Sequence, residues 1–148
     1  MLTSIANKLV KFPLKRLEPS SSKAKTTAAV LVILHGDIDN PQLVLTQRAL
    51  HLNSHSGEVA FPGGMWDKAD SNLLQTALRE AYEEIGLDPD SVEPVATLPT
   101  ASPKRRDVHV TPYVVIAKGK LALTPEPDEI AAIFNAPLKL FMDITQYQ

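Results

Sequence analysis

The chain contains no cysteine, which excludes a disulfide framework, a thiolate nucleophile and any zinc site built on cysteine. It also lacks any run close to the roughly 18 apolar residues that a membrane-spanning helix needs. Charge of one sign is missing as well: 15 Lys and Arg stand against 17 Asp and Glu, a formal net charge of -2. No global field therefore recruits nucleic acid or an anionic membrane, and an anionic substrate must be held locally. No internal repeat is found, and no linker beyond residues 13–25. What remains, 148 residues of which 44% are hydrophobic and 22% charged, has the size and composition of one globular domain.

Residues 3–12 are mildly amphipathic and basic. They read as a helix packing on the domain, with a transit peptide as the alternative, and are too short in apolar residues for a secretory signal. A cytoplasmic location is the default. Pro13 and the stretch Pro19–Lys25 read as a breaker and flexible polar connector, dividing the chain into residues 1–25 and a body over 26–148.

In the body, residues 27–34 and 42–48 read as a hairpin of strands, separated by a turn cluster at 36–41. Residues 57–61 form a short strand before a Pro62-Gly63-Gly64 turn. A helix is predicted over 72–85, with Asp70 or Ser71 as N-cap and Gly86 as its stop. Leu74, Ala77, Leu78, Ala81 and Ile85 make its core stripe. Strands follow at 92–98, 108–117 and 129–136, then a short helix at 138–142.

Glu80, Glu83 and Glu84 are three and four residues apart, so they share one helix face, centred roughly 120° from the core stripe. Three like charges so placed repel, and no Lys stands at an offset that would neutralise them. A hard divalent cation resolves the conflict, and oxygen-only ligands suit Mg²⁺ or Mn²⁺. Gly63 and Gly64, without side chains, let backbone carbonyls approach a ligand. Arg79 is expected to hold a glutamate by a charge-assisted hydrogen bond.

The stretch Gly64 to Leu87 resembles the signature of Nudix hydrolases: Arg79, Glu80, Ala81, Glu83, Glu84, Gly86 and Leu87 match its second half position by position. Upstream, Leu45–Ala49, His51, Leu52, His55 and Gly57–Gly64 are similar to the extra motif of the coenzyme A pyrophosphatases within that superfamily, a motif taken to recognise coenzyme A. Val110–Pro112 and Pro127–Ile130 are also family-like, so the likeness spans about residues 26–143. Two positions depart from the patterns. Asp70 stands where the general signature has a glutamate, one residue further from Arg79, a spacing that coenzyme A pyrophosphatases share. Asn53 stands where the narrower motif usually has an arginine, which takes weight from coenzyme A and keeps ADP-ribose or a dinucleotide as alternative substrates.

The resemblance implies an α/β fold, a Nudix-type α/β/α sandwich with a mixed central sheet. It implies that Glu80 and Glu84 bind metal, that Glu83 binds it or its waters, and that the Gly64 region supplies a carbonyl. Water then splits a pyrophosphate bridge; coenzyme A would give 3',5'-ADP and 4'-phosphopantetheine. A helix glutamate is the first choice of base and Glu129 the second, with a structural strand-start role as the alternative for Glu129. Arg48 is read as a phosphate contact or an exposed strand-end arginine, and Arg105, in the basic run 104–106, as a phosphate contact or a solvated charge. His51 and His55 are read as hydrogen-bonding loop residues with substrate contact as the alternative, and Trp66 as packing rather than a base platform. Substrate is thus a coenzyme A-like nucleotide, with no nucleic acid or membrane partner. A Nudix-fold nucleotide sensor without activity is the rival of another class. Relatives continue with a further C-terminal helix, and its absence after Gln148 would expose apolar surface and invite a homodimer.

Overall fold

The computed structural model describes residues 8–19, 26–37, 39–102 and 107–139. These residues build seven strands and one α-helix: β1 (Thr27–Asp37), β2 (Asn40–Arg48), β3 (Val59–Ala60), β4 (Gly63–Met65), α1 (Leu73–Ile85), β5 (Val92–Thr97), β6 (His109–Ala117) and β7 (Ile130–Pro137). The fold class expected from sequence is the one observed, a mixed α/β structure around one mixed sheet.

β1 is the axis. It runs parallel to β6 from Thr27 to Leu34 and antiparallel to β2 only at its far end, from Leu34 opposite Leu43 to Asp37 opposite Asn40. Nearer its start β1 pairs instead with β4, Ala28 to Val30 facing Met65 to Gly63, while β2 pairs with β3 at Thr46 and Gln47. The first two strands therefore part like a fork, and residues 59–65 fill the gap. The Pro62-Gly63-Gly64 stretch, expected as a free turn, is half strand: Gly63 and Gly64 lie in the sheet, and the Pro62 carbonyl accepts from the Leu31 N–H at 2.8 Å. A Cβ on Gly63 would come within 2.6 Å of Val30 Cα, so only glycine fits there.

Alternation along β1 divides two cores. Ala29, Leu31 and Ile33 face α1 together with Val44, Tyr113 and Val115, whereas Leu34 lies on the opposite face with Leu43, Ala96 and Val114. The predicted stripe of α1 is buried in full, and a Leu74→Ala cavity would cost about 2 to 5 kcal/mol. Gly86 closes the helix at φ 69°, its N–H donating to the Tyr82 carbonyl and the following Leu87 N–H to the Ala81 carbonyl, as the stop signal implied. The N-cap is Asn72, not Asp70 or Ser71: Asn72 Oδ1 accepts from the Gln75 N–H at 3.0 Å, because Asp70 is drawn to Arg79.

Residues 13–19, expected to be part of a flexible connector, are seated on the domain. The Lys15 N–H donates to Thr97 Oγ1 at 2.7 Å, the buried Tyr113 hydroxyl donates to the Lys15 carbonyl at 2.7 Å, and Leu14 and Leu17 pack on the helix-side core. Leu9 and Phe12 pack on the opposite core. Of the leading helix, Lys8 and Leu9 are helical; residues 1–7 and 20–25 lie outside the described residues. Leu138 and Lys139 are helical, and the rest of the predicted final helix lies outside them too.

Candidate active site

Arg79 organises the first half of the acidic face. Its Nε and Nη2 donate to the two oxygens of Asp70 at 2.8 and 3.1 Å, Nη2 also reaches the Met65 carbonyl at 3.1 Å, and Nη1 meets Glu80 at 3.0 Å and Glu83 at 3.3 Å. Asp70 accepts in addition from Thr76 Oγ1 and the Asp67 N–H. Burial raises the Asp70 carboxyl, but these hydrogen bonds, Arg79 first, outweigh it and hold the group below its ordinary value. The guanidinium rises above its own ordinary value, chiefly through Asp70. The expected clasp of Arg79 on a glutamate is present. Its anchor, Asp70, was legible only as a departure in spacing.

Glu80 packs against the glycine strand, so closely that a Cβ on Gly64 would lie 2.6 Å from its Cδ. Burial raises its pKa, opposed by Arg79 and reinforced by the charges of Glu83 and Glu129. Glu83 is half exposed. Glu84 is 9% exposed and accepts, among the described residues, one hydrogen bond, from the Gly63 N–H at 2.9 Å. Its pKa is pushed up to about 7, mainly by burial and further by Glu80 and Glu129, with the Gly63 amide and Arg48 acting the other way. Glu129 and Arg48 thus stand within electrostatic reach of α1 although they come from distant segments. Register explains it: Arg48 ends β2 opposite Ile130, and the Ala49 N–H donates to the Glu129 carbonyl at 2.7 Å. The preceding crossover is fastened to the helix end, Thr124 N–H to the Ile85 carbonyl and Glu126 N–H to the Glu84 carbonyl.

The loop after β2 folds back on Arg48. Arg48 Nε donates to the Ser54 carbonyl at 2.8 Å, the Arg48 N–H to Glu58 and the Gly57 N–H to Arg48. His55 takes a left-handed backbone, φ 56°, and its Nδ1 is paired with Glu58 Oε1 at 3.2 Å. Trp66 packs on the core, and its buried Nε1 has no hydrogen-bond partner among the described residues. Arg105 lies outside the described residues.

The NUDIX domain family matches residues 25–147. The chain belongs to the Nudix hydrolases. Uncharacterised Nudix hydrolases called NudL, from Salmonella paratyphi B and Salmonella typhimurium, are each 37% identical to it over 139 residues, covering 94% of this chain and 72% of theirs. Among solved structures it is similar in fold to the Mycobacterium smegmatis Nudix hydrolase RenU, with TM-score 0.65, 20% identity and coverage of 80% of this chain and 74% of that one. It is likewise similar to a Caenorhabditis elegans Ap4A hydrolase binary complex, at TM-score 0.65, 19% identity and 81% and 86% coverage. The NUDIX domain of Shewanella oneidensis NrtR, complexed with ADP ribose, gives 0.59, 21% identity and 85% and 81% coverage.

Nudix hydrolases use divalent metals, and the donor set here can be compared with that need. Among the described residues no three of Asp, Glu and His stand together as a ready metal cage. The acidic triad expected to converge is divided, Glu80 and Glu83 turned to Arg79 and Glu84 to the Gly63 amide. The chemistry of the set nonetheless fits a hard cation. The donors are oxygens, Glu80 and Glu84 both lie against the glycine strand, and the buried Glu84 carboxyl is short of positive charge.

Proposed function

We propose that this Nudix hydrolase cleaves the pyrophosphate bond of coenzyme A or acyl-coenzyme A, giving 3',5'-ADP and 4'-phosphopantetheine or its acyl form, with Mg²⁺ or Mn²⁺ as cofactor. The observation that supports it most is the loop at 49–58. The stretch similar to the coenzyme A motif closes on Arg48 and leads directly into β3 and the glycine strand beside α1. The loop is thereby joined to the acidic helix through β3 and β4.

In this reading Glu80, Glu83 and Glu84, with the Gly64 carbonyl, hold the dication. Once bound it supplies charge neutralisation at the diphosphate and a more acidic water. Water adds to one phosphorus, the bridging P–O bond breaks, and the departing phosphate takes the electron pair. A helix glutamate receives the proton of the attacking water, with Glu129 as the second choice, its charge already felt by Glu80 and Glu84. Arg79, committed to Asp70 and two glutamates, acts as a positioning residue. Arg48 spends its Nε on Ser54 and retains its Nη donors for a phosphate. Gly63, His55 and Arg105 complete the proposed substrate contacts. The proposed setting is cytoplasmic, and a homodimer is its proposed assembly.

Mass-resolved product analysis with coenzyme A, acetyl-coenzyme A, ADP-ribose and Ap4A at equal metal tests the proposal. Faster turnover of the coenzyme A compounds, with 3',5'-ADP as product, is expected. A strong preference for ADP-ribose would establish the second reading, which Asn53 favours because no arginine stands there. Tight nucleotide binding without turnover in Mg²⁺ or Mn²⁺ would instead identify a sensor.

A further inference from the structure

A cavity of about 810 Å³ opens at the end of the sheet away from the glycine fork. Its lining includes His35 of β1 and Asn135 of β7, joined by a hydrogen bond of 2.7 Å between Nε2 and Oδ1. The crossover after β6 contributes Lys118, Lys120 and Leu123, and β7 adds Ile133. Leu123 and Ile133 also pack on the helix-side core. No residue of the acidic site is among the described residues that line the cavity.

Three properties define what would fit. The volume is that of a small-molecule site. Among the described lining residues there is no Phe, Tyr or Trp, the imidazole of His35 being the one aromatic ring, and the aliphatic walls suit a hydrocarbon chain. Among the described lining residues the two lysines, Lys118 and Lys120, both exposed, outnumber the single acid, Asp37, so the local charge is net positive. We infer that this cavity is a second ligand site, distinct from the hydrolytic centre, for an aliphatic molecule with an anionic head group. The chain lies on Leu123 and Ile133, the head meets the two lysines, and the His35–Asn135 pair offers hydrogen bonds midway.

Gly119 lines the cavity and a Cβ there meets nothing within 4 Å, so Gly119→Trp adds bulk beside the cavity without displacing the core. Methyl NMR of Ile133 and Leu123 is read while octanoate, octyl phosphate, octanol or AMP is titrated into the full chain without metal. Saturable shifts with octanoate or octyl phosphate are expected, the tighter of the two identifying the head group. They should be lost in Gly119→Trp and weakened about ten-fold or more in Lys118→Glu/Lys120→Glu, as in octanol, which lacks the charge. Four results would overturn the inference: no saturable shift with either anion, shifts that persist unchanged in Gly119→Trp, octanol binding as tightly as octanoate, or AMP binding there more tightly than both. Because the readout is binding at named methyls, it stands or fails independently of the hydrolytic substrate.

Discussion

The two sides of the acidic face of α1 treat their charges in opposite ways. On one side Arg79 meets Asp70, Glu80 and Glu83 at 2.8 to 3.3 Å, so the carboxylates are compensated and fixed in place. On the other, Glu84 is more deeply buried than Glu80 or Glu83, with one backbone amide as its hydrogen-bond donor among the described residues and the charges of Glu80 and Glu129 nearby. A compensated group is positioned. A buried, under-compensated one is where an added cation gains most.

The largest test of that contrast is Glu84→Gln. The amide keeps the shape and still accepts from Gly63, so the fold should persist while metal-dependent turnover falls by about 10³-fold or more, read as kcat. Next is Asp70→Asn, which removes the charge that aims Arg79 without touching substrate; kcat should fall by about 10-fold to 100-fold with little change in KM, and stability by about 2 kcal/mol. A pH series of the metal-free protein sharpens the comparison further. The Glu84 carboxyl is protonated more readily in the folded state, about 7 against 4.5, so its contribution to stability is full below about 4.5 and is lost as pH rises through about 7. The difference in Tm between Glu84→Gln and wild type should therefore grow across that window in favour of the variant; a flat difference would show that Glu84 is not under-compensated. The smallest effect is expected at Asn72→Ala, where loss of the N-cap should cost about 1 kcal/mol in chemical denaturation with kcat preserved.

Much of this was legible from local rules. The helix stripe, the Gly86 stop and the strand runs follow from periodicity and from a left-handed position that glycine tolerates, and each lies within a few residues of its expected place. Other features depended on distant partners. Asp70 satisfies the local rule for an N-cap as well as Asn72 does, and only the position of Arg79 nine residues later decides between them. The glycine pair satisfies the rule for a turn, yet a fork between β1 and β2 draws it into the sheet. Residues 13–19 have the composition of a connector but are anchored by Tyr113 and Thr97, 98 and 82 residues away from Lys15.

By itself the sequence determined the order of strands and helix, the face on which three glutamates lie and the hard-cation chemistry they suit, because these depend on spacing along one element. The tertiary structure decided that Arg79 would neutralise two of those acids and leave the third to a backbone amide. It also brought Glu129 and Arg48 near that third acid. Both outcomes arise from pairing across the sheet, since burial and charge are set by neighbours distant along the chain, and no local pattern encodes them.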